Sequence, residues 1–374
     1  MIKTKQNAAP KVILIVALLL VLTWTIYADE LTTTGSSDTD KTINSKVYDY
    51  LATALEHLSP KLRWQATTAA EHEAWRDSFK KKLLELLGYE PVSIPLEVKW
   101  ADTFETDAFT RRKVYIQSEA NYWIPAYYFV PKGHRRKRPA IICFHGHSGI
   151  NPYIREGTKA EQKKGKEHAL DYAVHFAEHG YVTVAVVQRG WNETRAEAPH
   201  SCDRLSRAGF LIGRTPIGMR CWDGSRVVDF LETRDEVDAT RIGAAGLSGG
   251  GTTTLFFTAI EDRIKLALCA GYFCTFKDSI YSIHHCICNC VPQLMKWGEM
   301  SDIGALIAPR PLLIISGTED SIFPIEATRS AFADLSKTYQ CLSASDNLES
   351  DFFDGVHEWS NRKTLPFLKK HFGK

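Results

Sequence analysis

The sequence carries no excess of charge of either sign: 46 Lys and Arg stand against 44 Asp and Glu over 374 residues, a net charge of +2. Electrostatics therefore gives nucleic acid no support as a partner. There is also no apolar run of the about 20 residues that a membrane-spanning helix needs. The nearest candidate, residues 12–27, falls short of that length. No cysteine occurs before Cys143, so lipid attachment near the N-terminus has no acceptor thiol. The apolar fraction of 44% and charged fraction of 24% are those of an ordinary globular chain. The length allows one large or two modest domains with ample core.

What is present begins with a targeting pattern. Lys3, Lys5 and Lys11 precede the run 12–27, and Ala28 is followed by Asp29 and Glu30. That order of basic, apolar and small residues predicts a secretory leader over residues 1–28, cleaved on export to a periplasmic or secreted location. An uncleaved membrane anchor is the alternative. Residues 31–42, rich in Thr, Ser, Asp and Gly, read as a flexible tether. Helical spacing over 45–58 and 69–87, the second closed by Gly88, completes an N-terminal extension over 29–94.

From residue 95 the texture changes. Segments 98–101, 112–117 and 124–130 read as an antiparallel opening. Continuous apolar runs at 139–144, 182–187, 264–269 and 311–316 suit strands buried on both faces, with helical stretches at 166–179 and 222–233 between them. The expected fold class is α/β, a mostly parallel, doubly wound sheet over 95–374. In such sheets reactive loops lie beyond the carboxyl ends of the strands.

One of those loops holds Gly246-Leu247-Ser248-Gly249-Gly250, a G-x-S-x-G pattern at a strand-to-helix turn. A lone match of this kind is weak evidence, so its partners decide. In chain order the acid and the histidine should follow the serine. Asp320, in Gly317-Thr318-Glu319-Asp320, is the candidate acid, with Glu319 the alternative. His357, in Gly355-Val356-His357-Glu358-Trp359, is the candidate base. The oxyanion hole is expected from the backbone N–H groups of Gly249 and of His147, in the loop His145-Gly146-His147.

These motifs, together with Arg189-Gly190-Trp191 and the block from Val291 to Pro311, resemble the α/β-hydrolase superfamily. Within it the chain is similar to the bacterial acetyl-xylan-esterase and dienelactone-hydrolase-like esterases, over residues 95–374. It departs from dienelactone hydrolases proper, whose nucleophile is cysteine, in having Ser248. The resemblance implies carboxylic-ester hydrolysis of carbohydrate or small acyl esters, with no cofactor. A serine peptidase of the prolyl-oligopeptidase type shares the same elbow and order, but no propeller-sized segment precedes residue 95. A non-catalytic protein that keeps the fold is a third reading.

Arg189, Trp191, Trp222 and Trp359 stand near the reactive loops and are candidate pocket residues, since aromatic faces suit sugar rings. Segment 274–300 is expected to wall the pocket. The pattern Cys286-Ile287-Cys288-Asn289-Cys290 is tighter than the usual zinc spacing, and no second ligand pair follows nearby. No metal is therefore expected; the nine cysteines read as packing residues or one or two disulfides.

Overall fold

The computed structural model describes residues 47–90, 92, 94–133, 136–195 and 201–373. The expected leader and tether lie outside these residues. Among the described residues no helix is long and apolar enough to cross a membrane. Helix α1 (Val47–Glu56) belongs to a unit ending at Leu58 and exposes Val47, Tyr48 and Tyr50. Everything from Ser59 onward forms a second unit.

That second unit opens with helix α2 (Ala69–Leu87). Thr68 and Glu71 close a reciprocal capping box at its start, and Gly88 ends it in the left-handed conformation. Phe79, Leu83 and Leu87 recur every four residues and are fully buried. The helix is thus an integral part of the core.

Strands β1 (Val98–Glu105), β2 (Phe109–Glu119) and β3 (Tyr122–Pro131) form the antiparallel opening. Next come β4 (Arg138–Phe144), helices α3 (Lys159–Glu167) and α4 (Tyr172–Glu178), and β5 (Val182–Val186). Helices α5 (Ser201–Leu211) and α6 (Pro216–Glu232) lead to β6 (Val237–Leu247), α7 (Gly249–Ile260) and β7 (Ile264–Ala270). The chain closes with α8 (Met300–Ala305), β8 (Leu312–Gly317), α9 (Ile325–Cys341), β9 (Leu348–Phe353) and α10 (Thr364–Phe372). Among the described residues these strands make one nine-stranded sheet in the order β1-β2-β3-β5-β4-β6-β7-β8-β9. From β5 to β9 all pairings are parallel.

The two faces of this sheet bury separate cores. Along β4, Ala140, Ile142 and Phe144 enter one apolar cluster while Ile141 and Cys143 enter the other. A strand covered on both sides has no polar face to show, which is why β4, β5 and β8 read as unbroken apolar runs. The strand order reverses at β4: the chain moves one way to β5 and then the other way to β6. Such a reversal leaves a crevice beyond the carboxyl ends of the two diverging strands. The loops after β4 and β6 border it.

Two helices differ from the sequence expectation. The stretch expected as one helix over 166–179 is two, because Ala169 adopts a positive φ of 49° and the Leu170 N–H turns back to the Gly165 carbonyl at 2.8 Å. The helix expected from Trp222 begins earlier, at Pro216. Thr215 caps it through the Gly218 N–H at 3.0 Å, and proline at the first helical position costs no hydrogen bond.

Candidate active site

Ser248 sits between the end of β6 and the first residue of α7, with φ 61° and ψ −123°. A non-glycine residue held at positive φ is strained and must be over-determined by its surroundings. Here the Ser248 N–H donates to the Ala270 carbonyl at 3.0 Å, and its own carbonyl accepts from the Thr252 N–H at 2.8 Å. The turn also requires close backbone approach. A Cβ on Gly250 would lie 1.9 Å from the Phe144 carbonyl oxygen, and one on Gly246 would lie 2.3 Å from the Gly250 carbonyl oxygen. Gly250→Ala is therefore expected to destabilise the fold by about 3 kcal/mol or more, because the obstacle is backbone and cannot step aside. Urea unfolding beside the unmodified chain measures this.

Loops after β8 and β9 bring Asp320 and His357 together. His357 Nδ1 lies 2.7 Å from Asp320 Oδ2. The other carboxylate oxygen accepts from the Ile322 and Phe323 N–H groups at 2.8 and 3.0 Å. An ionised carboxylate only accepts, so Nδ1 carries the ring proton and Nε2 presents its lone pair. Among the described residues the buried Nε2 has no hydrogen-bond partner. The ring stacks on Phe323 and lies against Gly271, beside the Leu247 side chain that precedes Ser248. Ser248 and His357 line the same cavity of about 440 Å³.

The loop after β4 approaches from the other side. A Cβ on Gly146 would lie 3.2 Å from Ser248 Cβ. His147 covers the start of α7: its Cε1 and Nδ1 lie 2.8 and 2.9 Å from where a Cβ on Gly249 would be. Among the described residues neither the His147 nor the Gly249 backbone N–H has a hydrogen-bond partner. The Gly146 N–H, by contrast, is taken by the Tyr153 hydroxyl at 2.9 Å.

His145 is fully buried beneath this loop and fixes its shape. Its Nε2 accepts from the Gln188 N–H at 3.1 Å, so Nδ1 bears the proton and donates to the Gly146 carbonyl at 2.7 Å. Burial pushes its pKa down to about 3, and the Arg220 charge acts in the same direction. In the unfolded chain the same ring takes up a proton at about 6.5. The fold thus holds the full contribution of this group above pH 6.5 and loses it progressively as pH falls toward 3. His145→Gln is expected to reduce the loss of thermal stability between pH 7 and pH 5, though not abolish it. His285, pushed down to about 4 chiefly by burial, contributes in the same sense. Equal pH dependence in the two proteins would contradict this assignment.

The candidate pocket residues behave differently from expectation. Arg189 is buried in a bidentate pair with Asp223, both contacts at 2.7 Å, and also reaches Glu119 at 2.8 Å. Trp222 turns its ring N–H to the Ser118 carbonyl at 3.0 Å, and Trp359 stacks on Tyr172 with ring centres 4.1 Å apart. Trp191 packs edge-on against His147. None of the four lines the cavity. For the tryptophans, large apolar area finds more to cover inside the fold than at the rim.

The cavity is instead rich in imidazole. His147, His168, His284, His285 and His357 line it, with Lys164, Phe323 and Asn289. Three of these eight residues belong to segment 274–300, which is irregular and joins α7 through a Thr252 hydroxyl hydrogen bond to Asn289 Oδ1 at 2.9 Å. Nothing in local sequence pattern marks Lys164 or His168 as cavity residues, because α3 carries no apolar stripe to orient it. All nine cysteines are free thiols, and no disulfide is present. The structure brings three of them, Cys202, Cys286 and Cys288, together with His147. Sequence spacing missed this group because its members come from three separate segments.

Residues 66–285, more than half of the chain, match the family model of acetyl xylan esterase (AXE1). This chain belongs to the acetyl xylan esterase family. It is accordingly an ester-hydrolysing enzyme of the carbohydrate-esterase kind. The match includes Ser248 and the loop after β4 but ends before Asp320 and His357. The candidate hydrolase YtaP of Bacillus subtilis is 27% identical over 275 residues, spanning 71% of this chain and 89% of that protein. Among solved structures, a candidate acetyl xylan esterase of Bacteroides fragilis has a TM-score of 0.72 at 17% identity, covering 85% of this chain and 84% of the other. A glucuronoyl esterase from Solibacter usitatus has a TM-score of 0.64 at 17% identity, covering 84% and 97%. At such identities these two structures speak to the fold, which is the α/β-hydrolase fold.

Proposed function

We propose that this family member is an exported serine esterase that removes acetyl groups from carbohydrate, with Ser248, His357 and Asp320 as its catalytic residues. The observation that carries the reading is convergence. Ser248 and His357 line one cavity, Asp320 holds His357 Nδ1, and the buried Nε2 has no hydrogen-bond partner among the described residues. Ser248 Oγ attacks the acyl carbon as His357 Nε2 takes its proton. The oxyanion that forms accepts from the His147 and Gly249 N–H groups, which have no hydrogen-bond partner among the described residues. The sugar hydroxyl then leaves with the proton from Nε2, giving an acetyl-serine. Water, deprotonated by the same nitrogen, releases acetate and restores the serine. Export rests on the basic and apolar pattern of residues 1–28.

A substrate panel tests this reading. Acetylated xylo-oligosaccharides, a methyl ester of glucuronic acid and an aminoacyl amide are offered to the purified chain. Acetate release from the first, well above turnover of the other two, is the expected result. Amide cleavage without acetate release would assign the site to a peptidase instead.

A further inference from the structure

Four side chains beside the cavity have no role in the reaction above. His147 comes from the loop after β4, Cys202 from α5, and Cys286 and Cys288 from the segment after β7. Their ligating atoms all lie within 4.8 Å of one another. His147 Nε2 is 3.4 Å from Cys288 Sγ. Ligands of a tetrahedral zinc ion with bonds of about 2.3 Å sit about 3.8 Å apart, so a small inward movement of these atoms would close a complete shell. The set is three cysteines and one histidine, a combination that thiolate softness and tetrahedral geometry direct to zinc.

A second observation points to the same place. Arg220 is 2% exposed and is among the largest fully enclosed side chains. Its guanidinium donates to the Arg189 carbonyl at 3.0 Å and lies 3.6 Å from Cys202 Sγ, while Nε has no partner among the described residues. Among the described residues no carboxylate forms an ion pair with it. A buried cation without a counter-charge is strongly unfavourable. Neutral thiols or a disulfide would leave it so. Zinc held by three thiolates and a neutral imidazole carries one net negative charge, which balances the guanidinium.

We propose that His147, Cys202, Cys286 and Cys288 form a structural zinc site, with Arg220 as its buried counter-ion. Four protein ligands fill the tetrahedron, so no open position remains for water or substrate. The metal ties together the loop after β4, helix α5 and the cavity wall that carries His284, His285 and Asn289. It also holds the His147 ring over Gly249. The metal assignment does not depend on the esterase mechanism; only this positioning consequence does.

The experiment uses the full chain, expressed with zinc in the medium and purified without chelator. Elemental analysis is expected to find about one zinc ion per chain. X-ray absorption at the zinc edge should show three sulfur neighbours at about 2.3 Å and one nitrogen at about 2.0–2.1 Å. Cys202→Ser and Cys288→Ser should lower zinc content to background, whereas Cys290→Ser, outside the set, should retain it. Should the serine variants fail to fold, the absorption spectrum of the unmodified chain decides alone. A disulfide joining two of the three cysteines in the purified chain would overturn the proposal. So would a reduced chain that binds neither zinc nor cobalt, or equal loss of zinc in Cys290→Ser.

Discussion

Replacing Ser248 by alanine is expected to lower kcat by roughly 10⁴- to 10⁶-fold while leaving substrate affinity and the fold little changed. The residue's backbone is fixed by the Ala270 carbonyl and the Thr252 N–H, neither of which involves Oγ. Alanine is as able as serine to occupy φ 61° when those contacts hold it there. On the proposed mechanism, what disappears is the nucleophilic oxygen, Ser248 Oγ. Residual turnover would come from the oxyanion donors acting on water, which is why the loss has a floor. The measurement is steady-state hydrolysis of an activated acetyl ester, together with labelling by a fluorophosphonate. Loss of both at an unchanged melting temperature is the expected outcome; retention of either would place the nucleophile elsewhere.

Asp320→Asn is expected to cost about 10⁴-fold in kcat through the tautomer of His357. The Ile322 and Phe323 N–H groups bind Oδ1 as an acceptor. An asparagine must keep its carbonyl oxygen toward those donors, so its NH₂ faces His357 Nδ1. That nitrogen must then accept, and the proton moves to Nε2, where a base needs its lone pair. The two variants differ in kind: one removes the proposed nucleophilic oxygen, the other exchanges a carboxylate oxygen for an amide nitrogen and thereby moves a proton. Glu319→Gln is the control. Its backbone N–H is bound to the Gly355 carbonyl at 2.9 Å, and its side chain makes no hydrogen bond to the imidazole. Turnover close to the unmodified value is expected. The reverse ranking of Asp320 and Glu319 variants would reassign the acid.

The turn that carries Ser248 is legible in the sequence because close backbone approach demands glycine on either side of it. Only glycine fits where Gly250 passes the Phe144 carbonyl, so the turn around Ser248 leaves its spacing in the sequence. Parallel strands buried on both faces likewise announce themselves as apolar runs, and chain order then assigns their loops. The aromatic residues were misleading for a complementary reason. Trp222 and Trp359 are near reactive loops in sequence, but a side chain's direction depends on which neighbour offers apolar area or an acceptor, here Tyr89 and Ser118, and Tyr172. Local pattern holds no record of that choice. The cysteine group was hidden more deeply. Cys286 and Cys288 show only a tight pair, and their companions His147 and Cys202 arrive from other elements through the fold alone. Spacing rules detect ligands that a short loop presents together, and this set is not of that kind.

Covalent trapping is the most direct test of acyl transfer through Ser248. The full chain is treated with a phosphonate inhibitor, digested, and the modified peptide sequenced by mass spectrometry. One phosphonyl group, located on Ser248, is expected, with hydrolysis lost in proportion to labelling. An adduct on any other residue, or complete hydrolysis by a chain fully modified at Ser248, would contradict it.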